Sequence, residues 1–298
     1  MSTKSSARFS QGILRVIFGM AQTTMALVSL GLYLRSGLNR SSVGALGVTL
    51  LLVIGSRITF GERMSMTLNG STKKYISECF GTFCLVFAGT GAIVINDVSG
   101  GAISHVGIAV TFGLVVMAMI YTFGDISGAH LNPAVTLGFL AARRMRAAEG
   151  LPYIASQIIG ASAASGVLRL LFAKHPTLGI TVPAGDWMQS FILEFILTAI
   201  LMLVILNVST GAKEKGITAG IAIGGVIALE AMFAGPISGA SMNPARSLAP
   251  ALVANHFSFL WLYLIAPIAG ALVGVPLCMC VRERGCCTAL PPDEVAAA

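Results

Sequence analysis

An eight-residue stretch occurs twice in this chain, as SGAHLNPA at residues 127–134 and as SGASMNPA at residues 238–245. In each copy an Asn-Pro pair precedes a short apolar piece, at 133–142 and at 244–254. Asn is a good helix N-cap and Pro suits the first helical position. One such pair would indicate only the start of a helix, whereas two related copies indicate an internal repeat.

The two copies lie among apolar segments of the length that a membrane requires. Such segments are predicted to form six spanning helices, at 75–95, 106–123, 151–172, 188–207, 217–234 and 258–281. Each is close to the ~20 residues that cross a bilayer core, but the two pieces that follow the Asn-Pro pairs are too short to span. Short apolar pieces at matching places in two halves indicate half-helices around a pore or a binding site.

The composition also predicts a membrane protein. Of the 298 residues, 55% are hydrophobic and only 10% are charged, whereas an average soluble domain has about 25% charged residues. The net charge of +7 comes from basic residues in short loops, which is typical of orientation by cytoplasmic positive charge. The predicted surroundings are therefore a lipid bilayer, and nucleic acid is not a predicted partner.

We predict an all-α membrane protein with six transmembrane helices and two re-entrant half-helices, arranged as an inverted repeat. The channel-like domain is 74–281, with repeats at 74–172 and 187–281, and the second repeat is inverted because three spans per half is an odd number. Most loop cations fall on one side of this arrangement: Lys73, Lys74, Arg143, Arg144, Arg146, Lys213, Lys215, Arg282 and Arg284. That side is predicted to be cytoplasmic, together with the tail 282–298.

Residues 1–73 form an extension that permits two interpretations. It contains two apolar runs, 17–34 and 42–56, separated by Arg35 and Arg40. Its start is rich in Ser and Arg and free of acidic residues, which is typical of targeting segments. The second run is too apolar for that interpretation, so one or two additional membrane helices are favoured.

The cysteines predict neither a disulfide framework nor a metal site. Cys79 and Cys84 lie inside an apolar segment, and the other four lie near the C-terminal end, at Cys278, Cys280, Cys286 and Cys287. This cluster could bind metal or carry palmitate. Its spacing fits no standard zinc pattern, so free cytoplasmic thiols are the default expectation.

Two half-helices that enter from opposite faces would meet end to end near the middle of the membrane. Their positive dipole ends would converge there, repelling cations and protons, and the amides of Asn132 and Asn243 would be donors to a passing solute oxygen. The rest of the two motifs is Pro133, Ala134, Pro244 and Ala245. Arg246 follows the second motif, and an arginine inside an apolar segment indicates a pathway rather than a lipid-facing position.

Glu78 and Glu194 are ionisable residues inside apolar segments, where such residues must find partners. A proton relay is one possible role, but no chain of titratable groups continues from either residue. We therefore favour a structural role, in which each carboxylate accepts backbone N–H groups of a re-entrant loop.

The chain resembles the major intrinsic protein family, the aquaporins and glycerol facilitators, and within it most resembles the plant nodulin-like intrinsic proteins. GDISGAHLNPA at 124–134 and AGPISGASMNPARS at 234–247 carry this resemblance, although Asp125 stands where the family usually has His. The resemblance implies a passive channel with a pore in each chain, a homotetramer, no cofactor, and a role for His130 in supporting the first re-entrant loop.

The resemblance also implies a constriction formed by Phe112, Ala231 and Ala240 together with Arg246. Water-selective members usually have His at the position of Ala231, and nodulin-like members often have Trp at the position of Phe112. Classical glycerol facilitators have Asp where this chain has Ser247. From composition alone, ordinary helix packing would explain the first three residues.

Three functions follow from these features. The favoured one is a channel for water and small uncharged solutes, such as glycerol-like polyols or undissociated metalloid acids, that excludes ions and protons. Ala231 and Ala240 argue against a strict water channel, and Arg246 with the converging dipoles argues against an ion-coupled transporter. The protein is predicted not to be an enzyme and to reside in a plasma or inner cell membrane.

Overall fold

The computed structural model describes residues 68–209 and 213–281, with the backbone alone for 213–216. The predicted helices within 1–67, the tail 282–298, and Cys286 and Cys287 therefore lie outside the described residues. Among the described cysteines, Cys79, Cys84, Cys278 and Cys280 are free thiols.

The described residues form an all-α fold, as predicted. Six helices are long: α1 (Gly70–Val98), α2 (Ser104–Ser127), α4 (Ala147–Leu171), α5 (Trp187–Val208), α6 (Lys213–Ser238) and α8 (Leu260–Val281). Two are short: α3 (Pro133–Ala141) and α7 (Pro244–Ala254). In the described part of the chain, six helices are long and apolar enough to cross a membrane.

The long helices extend beyond the apolar segments from which they were predicted. α1 begins at Gly70 rather than at 75 because Asn69 caps it, accepting a hydrogen bond from the backbone N–H of Thr72 at 2.8 Å. α6 continues through Pro236 to Ser238. Hydropathy identified the membrane-spanning part of each helix but not its polar first or last turn.

The two halves of the chain pack in the same way and interlock. α1 packs against α2 and α4, and α5 packs against α6 and α8, while α2 and α6 pack across the boundary between the halves. Each short helix contacts the last long helix of both halves, since α3 and α7 both pack against α4 and α8. Neither half therefore encloses its own short helix.

Glycines bring the backbones of paired helices into contact. A Cβ added at Gly160 in α4 would overlap the carbonyl oxygen of Cys79 in α1. A Cβ added at Gly270 in α8 would overlap the carbonyl oxygen of Phe195 in α5 in the same way. Small residues permit this close approach of membrane helices, and the same device recurs in both halves.

The contact between α2 and α6 is reciprocal. A Cβ added at Gly113 would overlap the carbonyl oxygen of Gly224, and a Cβ added at Gly224 would lie 2.6 Å from the carbonyl oxygen of Gly113. These glycines are separated by the same number of residues as Asn132 and Asn243. Equivalent positions of the two repeats therefore meet each other, as an inverted repeat requires.

The outward faces of the long helices carry large apolar side chains. Phe80, Leu114, Ile159, Ile196 and Phe233 are each 45–63% exposed. Continuous apolar exteriors of this kind are costly in water and suit the hydrocarbon of a bilayer. The fold is that of a multi-pass integral membrane protein.

Candidate functional site

The two repeated octets form loops with the same unusual backbone. Gly128 and Gly239 both have φ 84°. Four residues other than glycine are also left-handed: Ala129 (φ 46°), Leu131 (φ 53°), Ala240 (φ 41°) and Met242 (φ 53°). Such conformations are uncommon for residues with a Cβ and persist only where the surrounding structure holds them.

Glu78 of α1 holds the first loop. Its Oε1 accepts hydrogen bonds from Ser127 Oγ at 2.7 Å and from the His130 backbone N–H at 2.9 Å. Its Oε2 accepts one from the Leu131 backbone N–H at 2.8 Å. The carboxyl is fully buried, so these bonds replace the water that burial removes.

Glu194 of α5 holds the second loop with an equivalent set of bonds. Its Oε1 accepts from Ser238 Oγ and from the Ser241 backbone N–H, both at 2.8 Å. Its Oε2 accepts from the Met242 backbone N–H at 2.8 Å. Both predicted loop-supporting glutamates therefore contact the backbone of a repeated octet.

Asn132 and Asn243 connect the two loops. Asn132 Nδ2 donates to the Met242 carbonyl at 2.7 Å, and Asn243 Nδ2 donates to the Leu131 carbonyl at 2.9 Å. The Oδ1 atom of each asparagine caps its own short helix, accepting from the N–H of Ala134 or of Ala245. An amide NH₂ has two protons, so each asparagine retains one N–H beyond these bonds.

Pro133 and Pro244 occupy the first positions of α3 and α7. Both are buried, as are Ala134 and Ala245 next to them. The two short helices therefore begin at the point where the loops meet, with their N-termini toward each other's loop.

Arg246 is nearly enclosed, at 2% exposure. Its Nη1 donates to the Gly179 carbonyl at 2.8 Å, and its guanidinium carbon lies 5.2 Å from the centre of the Phe112 ring. Within the described chain its Nε has no hydrogen-bond partner. The guanidinium is thus fixed by a loop carbonyl and an aromatic ring.

A cavity of about 1020 Å³ runs through the site. Phe112 and Asp125 both line it; these residues of α2 are ~20 Å apart at 1.5 Å per residue. At one end the lining includes Phe112, Ala231, Ala240 and Arg246, next to Asn132 and Asn243, and at the other end it includes Lys74, Arg144, Arg146 and Glu149. The structure therefore brings the four predicted constriction residues and both asparagines to one cavity.

Sequence comparison assigns the family. The family described as Major intrinsic protein matches residues 65–277. The chain belongs to the major intrinsic protein family. It is 49% identical to Aquaporin NIP1-1 of Oryza sativa subsp. japonica over 203 residues. The aligned region covers 68% of this chain and 72% of the relative. It is 45% identical to Nodulin-26 of Glycine max, over 68% of this chain and 75% of the relative.

A solved structure is also similar. The aquaglyceroporin from Plasmodium falciparum aligns with a TM-score of 0.63 at 26% identity, over 68% of this chain and 93% of that one. The predicted resemblance to the major intrinsic proteins, and to nodulin-like members among them, is confirmed.

In this major intrinsic protein His130 lies beside the first loop. Its Nδ1 is 3.2 Å from Thr136 Oγ1, and its ring stacks on that of Phe139 with centres 4.4 Å apart. His130 and Phe139 both line the cavity. The histidine therefore connects the loop to the short helix α3.

Two tyrosines that support the loops were not predicted. Tyr153 Oη donates to the Ser127 carbonyl at 2.8 Å, and Tyr263 Oη donates to the Ser238 carbonyl at 2.7 Å. Each tyrosine lies near the start of the long helix that follows an octet. That shared position was the sequence signal that could have identified them.

Two acidic residues were also missed. Glu149 Oε1 pairs with Lys74 Nζ at 3.2 Å and with Arg146 Nη2 at 2.7 Å, at the end of the cavity far from Arg246. Glu230, next to Ala231, is 1% exposed, and neither of its carboxyl oxygens has a partner in the part of the chain that the structure describes. Glu230 thus contrasts with Glu194, whose carboxyl oxygens accept three hydrogen bonds.

Proposed function

We propose that this protein is a passive channel for water and small uncharged solutes, wide enough for glycerol-sized polyols or undissociated metalloid acids, that excludes ions and protons. One observation supports the proposed width of the pore. Phe112 and Arg246 line the cavity together with the other two residues of the predicted constriction, which are alanines, Ala231 and Ala240. The names of the similar proteins, aquaporins and an aquaglyceroporin, support the same class of activity.

The lining suits a neutral solute with a carbon skeleton and hydroxyl groups. Methyl groups and the Phe112 ring form an apolar wall, and Arg246 and the two asparagines provide N–H donors. A polyol that enters would exchange water for these donors on one side and for apolar contact on the other. Selectivity then follows pore diameter and lining groups.

Two positive features exclude cations and protons. Within the described residues Arg246 forms no salt bridge with a carboxylate, since its Nη1 donates to the Gly179 carbonyl and its guanidinium carbon lies 5.2 Å from the centre of the Phe112 ring. The N-termini of α3 and α7 converge beside Asn132 and Asn243, and helix N-termini carry partial positive charge. A cation would meet both barriers after losing part of its hydration.

We further propose that the end of the cavity at Lys74, Arg144 and Arg146 is cytoplasmic, because basic loop residues are retained on that side. Arg246 then lies toward the outer face of a plasma or inner membrane. The proposed assembly is a homotetramer in which each chain contains its own pore. The channel domain is 74–281, flanked by the extension 1–73 and the tail 282–298.

Stopped-flow light scattering on proteoliposomes tests the proposal. The wild type should pass glycerol and water, and Ala231→His should reduce glycerol permeability at least about tenfold, for which ~1.4 kcal/mol of added barrier suffices. Water permeability should change much less, because water fits the narrower gap and can bond to both imidazole and Arg246. Phe233→His, on the exposed face of the same helix, is the matched control and should behave as wild type.

The assay separates the alternatives. A wild type that passes water but excludes glycerol, urea and metalloid acids would be a strict water channel. If the wild type and Ala231→His pass glycerol equally well, Ala231 does not line the constriction.

A further inference from the structure

Gly89 of α1 lies directly behind the ring of Phe112, which belongs to α2. A Cβ added at Gly89 would be 2.5 Å from both Cδ1 and Cζ of that ring and would overlap Cε1. Contacts this short do not occur between real atoms, so the ring occupies space that any other residue at position 89 would need. Gly89 is thus a notch in α1 into which the aromatic ring fits.

The opposite side of the same ring faces the cavity. Phe112 lines the cavity and is only partly buried, and the Arg246 guanidinium carbon lies 5.2 Å from its ring centre. The ring is therefore held between the backbone of α1 and the guanidinium. The depth to which it enters the notch fixes how much of the gap beside Arg246 remains open.

We propose that Gly89 is a specificity-determining residue: the notch at position 89 draws the Phe112 ring back and thereby sets the width of the constriction. This inference rests on the proposed function, since it takes Phe112 to be a wall of that constriction. A larger residue at position 89 displaces the ring toward Arg246, because α1 blocks movement the other way and the cavity offers the free space.

The fold can accommodate this displacement. The three atoms nearest to a new Cβ, Cε1, Cδ1 and Cζ, all belong to the Phe112 ring and none to a backbone. Rotation of the ring about its side-chain bonds relieves the overlap without separating the two helices, whereas at Gly160 the obstacle is the Cys79 carbonyl. Gly89→Ala should therefore change the pore more than the packing of the bundle.

Gly91 provides a matched control in the same helix. A Cβ added there would meet only Leu168 Cδ2 at 3.4 Å, which is an ordinary contact. Gly91→Ala makes the same chemical change two residues along α1 without touching the Phe112 ring. Any general effect of alanine on α1 should appear in both variants.

The test compares glycerol and water permeability of proteoliposomes at equal incorporation for the wild type, Gly89→Ala, Gly91→Ala, Phe112→Leu and the Gly89→Ala/Phe112→Leu pair. Gly89→Ala should reduce glycerol permeability at least about tenfold, the lower end of what a single methyl group achieves in a tight site, and reduce water permeability less. Gly91→Ala should match the wild type. The paired variant should match Phe112→Leu, because without the ring the notch has nothing to hold.

Each outcome decides the inference. Wild-type glycerol permeability in Gly89→Ala overturns it, and so does a paired variant that stays as impermeable as Gly89→Ala. If Gly89→Ala fails to assemble but the paired variant assembles with the permeability of Phe112→Leu, the overlap with the ring is established; if both fail to assemble, Gly89 is needed for another reason and the inference is wrong.

Failure of the proposed function is distinguishable from failure of this inference. If the wild type passes no glycerol, the proposed function fails, and Gly89 is then judged on water alone. Gly89→Ala should in that case still reduce water permeability, and Phe112→Leu should remove the reduction; the absence of either effect overturns the inference.

Discussion

Arg246 and Glu230 are both buried in this channel, but they differ in the contacts that surround them. Arg246 lines the cavity and is fixed by the Gly179 carbonyl and the Phe112 ring. Glu230 is equally buried but has no hydrogen-bond partner among the described residues. Since an unpaired polar group in an apolar environment is costly, these two side chains should respond differently to replacement.

Arg246→Val should raise leakage of cations or protons while neutral flux persists. The guanidinium would supply positive potential at the proposed constriction, and an aliphatic side chain cannot. Ionic conductance in planar bilayers measures the effect. Arg246→Lys is the control: it keeps the charge and should keep ions out, although it loses the planar contact with Phe112. Unchanged conductance in the valine variant would count against the assigned location of Arg246.

Glu230→Leu should stabilise the protein, by ~1–3 kcal/mol, the usual cost of an unsatisfied buried polar group. Glu194→Gln should destabilise it, because an amide NH₂ would face the N–H and O–H donors that now bind the carboxylate. Thermal unfolding of the purified channel in detergent, followed by tryptophan fluorescence, measures both. A lower unfolding temperature for Glu230→Leu would show that this carboxyl has a partner that it needs.

The functional residues that could be predicted from the sequence are those that occur in both repeats. Asn132, Asn243, Glu78 and Glu194 stand out because each occurs in duplicate in an unfavourable apolar setting, and the structure joins all four to the two loops. Gly179 could not be found in this way, because it contributes only a carbonyl oxygen, which every residue has. Nor could Gly89, whose importance depends on which side chain of another helix lies against it.

The helices of this bundle meet at close backbone contacts as well as through buried apolar side chains. α1 with α4 and α5 with α8 each meet at a glycine against a carbonyl. The six spans were predicted because their length and hydropathy follow directly from sequence. The contacts between the helices were not predicted, because the sequence does not distinguish a glycine at a helix crossing from a glycine that faces open space.

Gly160→Ala and Gly166→Ala should therefore have opposite effects, although both lie in α4. The first would force the backbones of α1 and α4 apart at Cys79 and should lower the unfolding temperature. The second meets nothing within 4 Å and should stabilise the helix by up to ~1 kcal/mol, the difference between Gly and Ala in a helix interior. Thermal unfolding in detergent compares them. Effects in the same direction would contradict the assigned crossing.

The chain as a whole divides into a repeated part and flanking parts. Both repeats, both short helices and both loop-supporting glutamates lie within 70–281. Inverted symmetry could be predicted because an odd number of spans per half leaves no alternative. The pairing of Gly113 with Gly224 could not, because it depends on where the symmetry axis passes.

A protein that lacks residues 1–65 should still insert and conduct, since both repeats and all the described cavity-lining residues remain. Water and glycerol flux in proteoliposomes measures this. Removal of residues 1–80 is the control: it also deletes Glu78, so the first loop loses its carboxylate and flux should disappear. Loss of assembly and flux in the shorter truncation would show that the extension belongs to the channel core.

The crossed asparagine bonds have a consequence for how the protein is made. Asn132 and its partner Met242 are 110 residues apart in the chain, and Leu131 and its partner Asn243 are 112 residues apart. At ~5–20 residues per second, the ribosome leaves the first loop without its partner for roughly 5–20 s. During biogenesis the first three spans therefore hold an unfinished loop that only the later half of the translated chain completes, and a pause in translation between the halves prolongs that vulnerable interval.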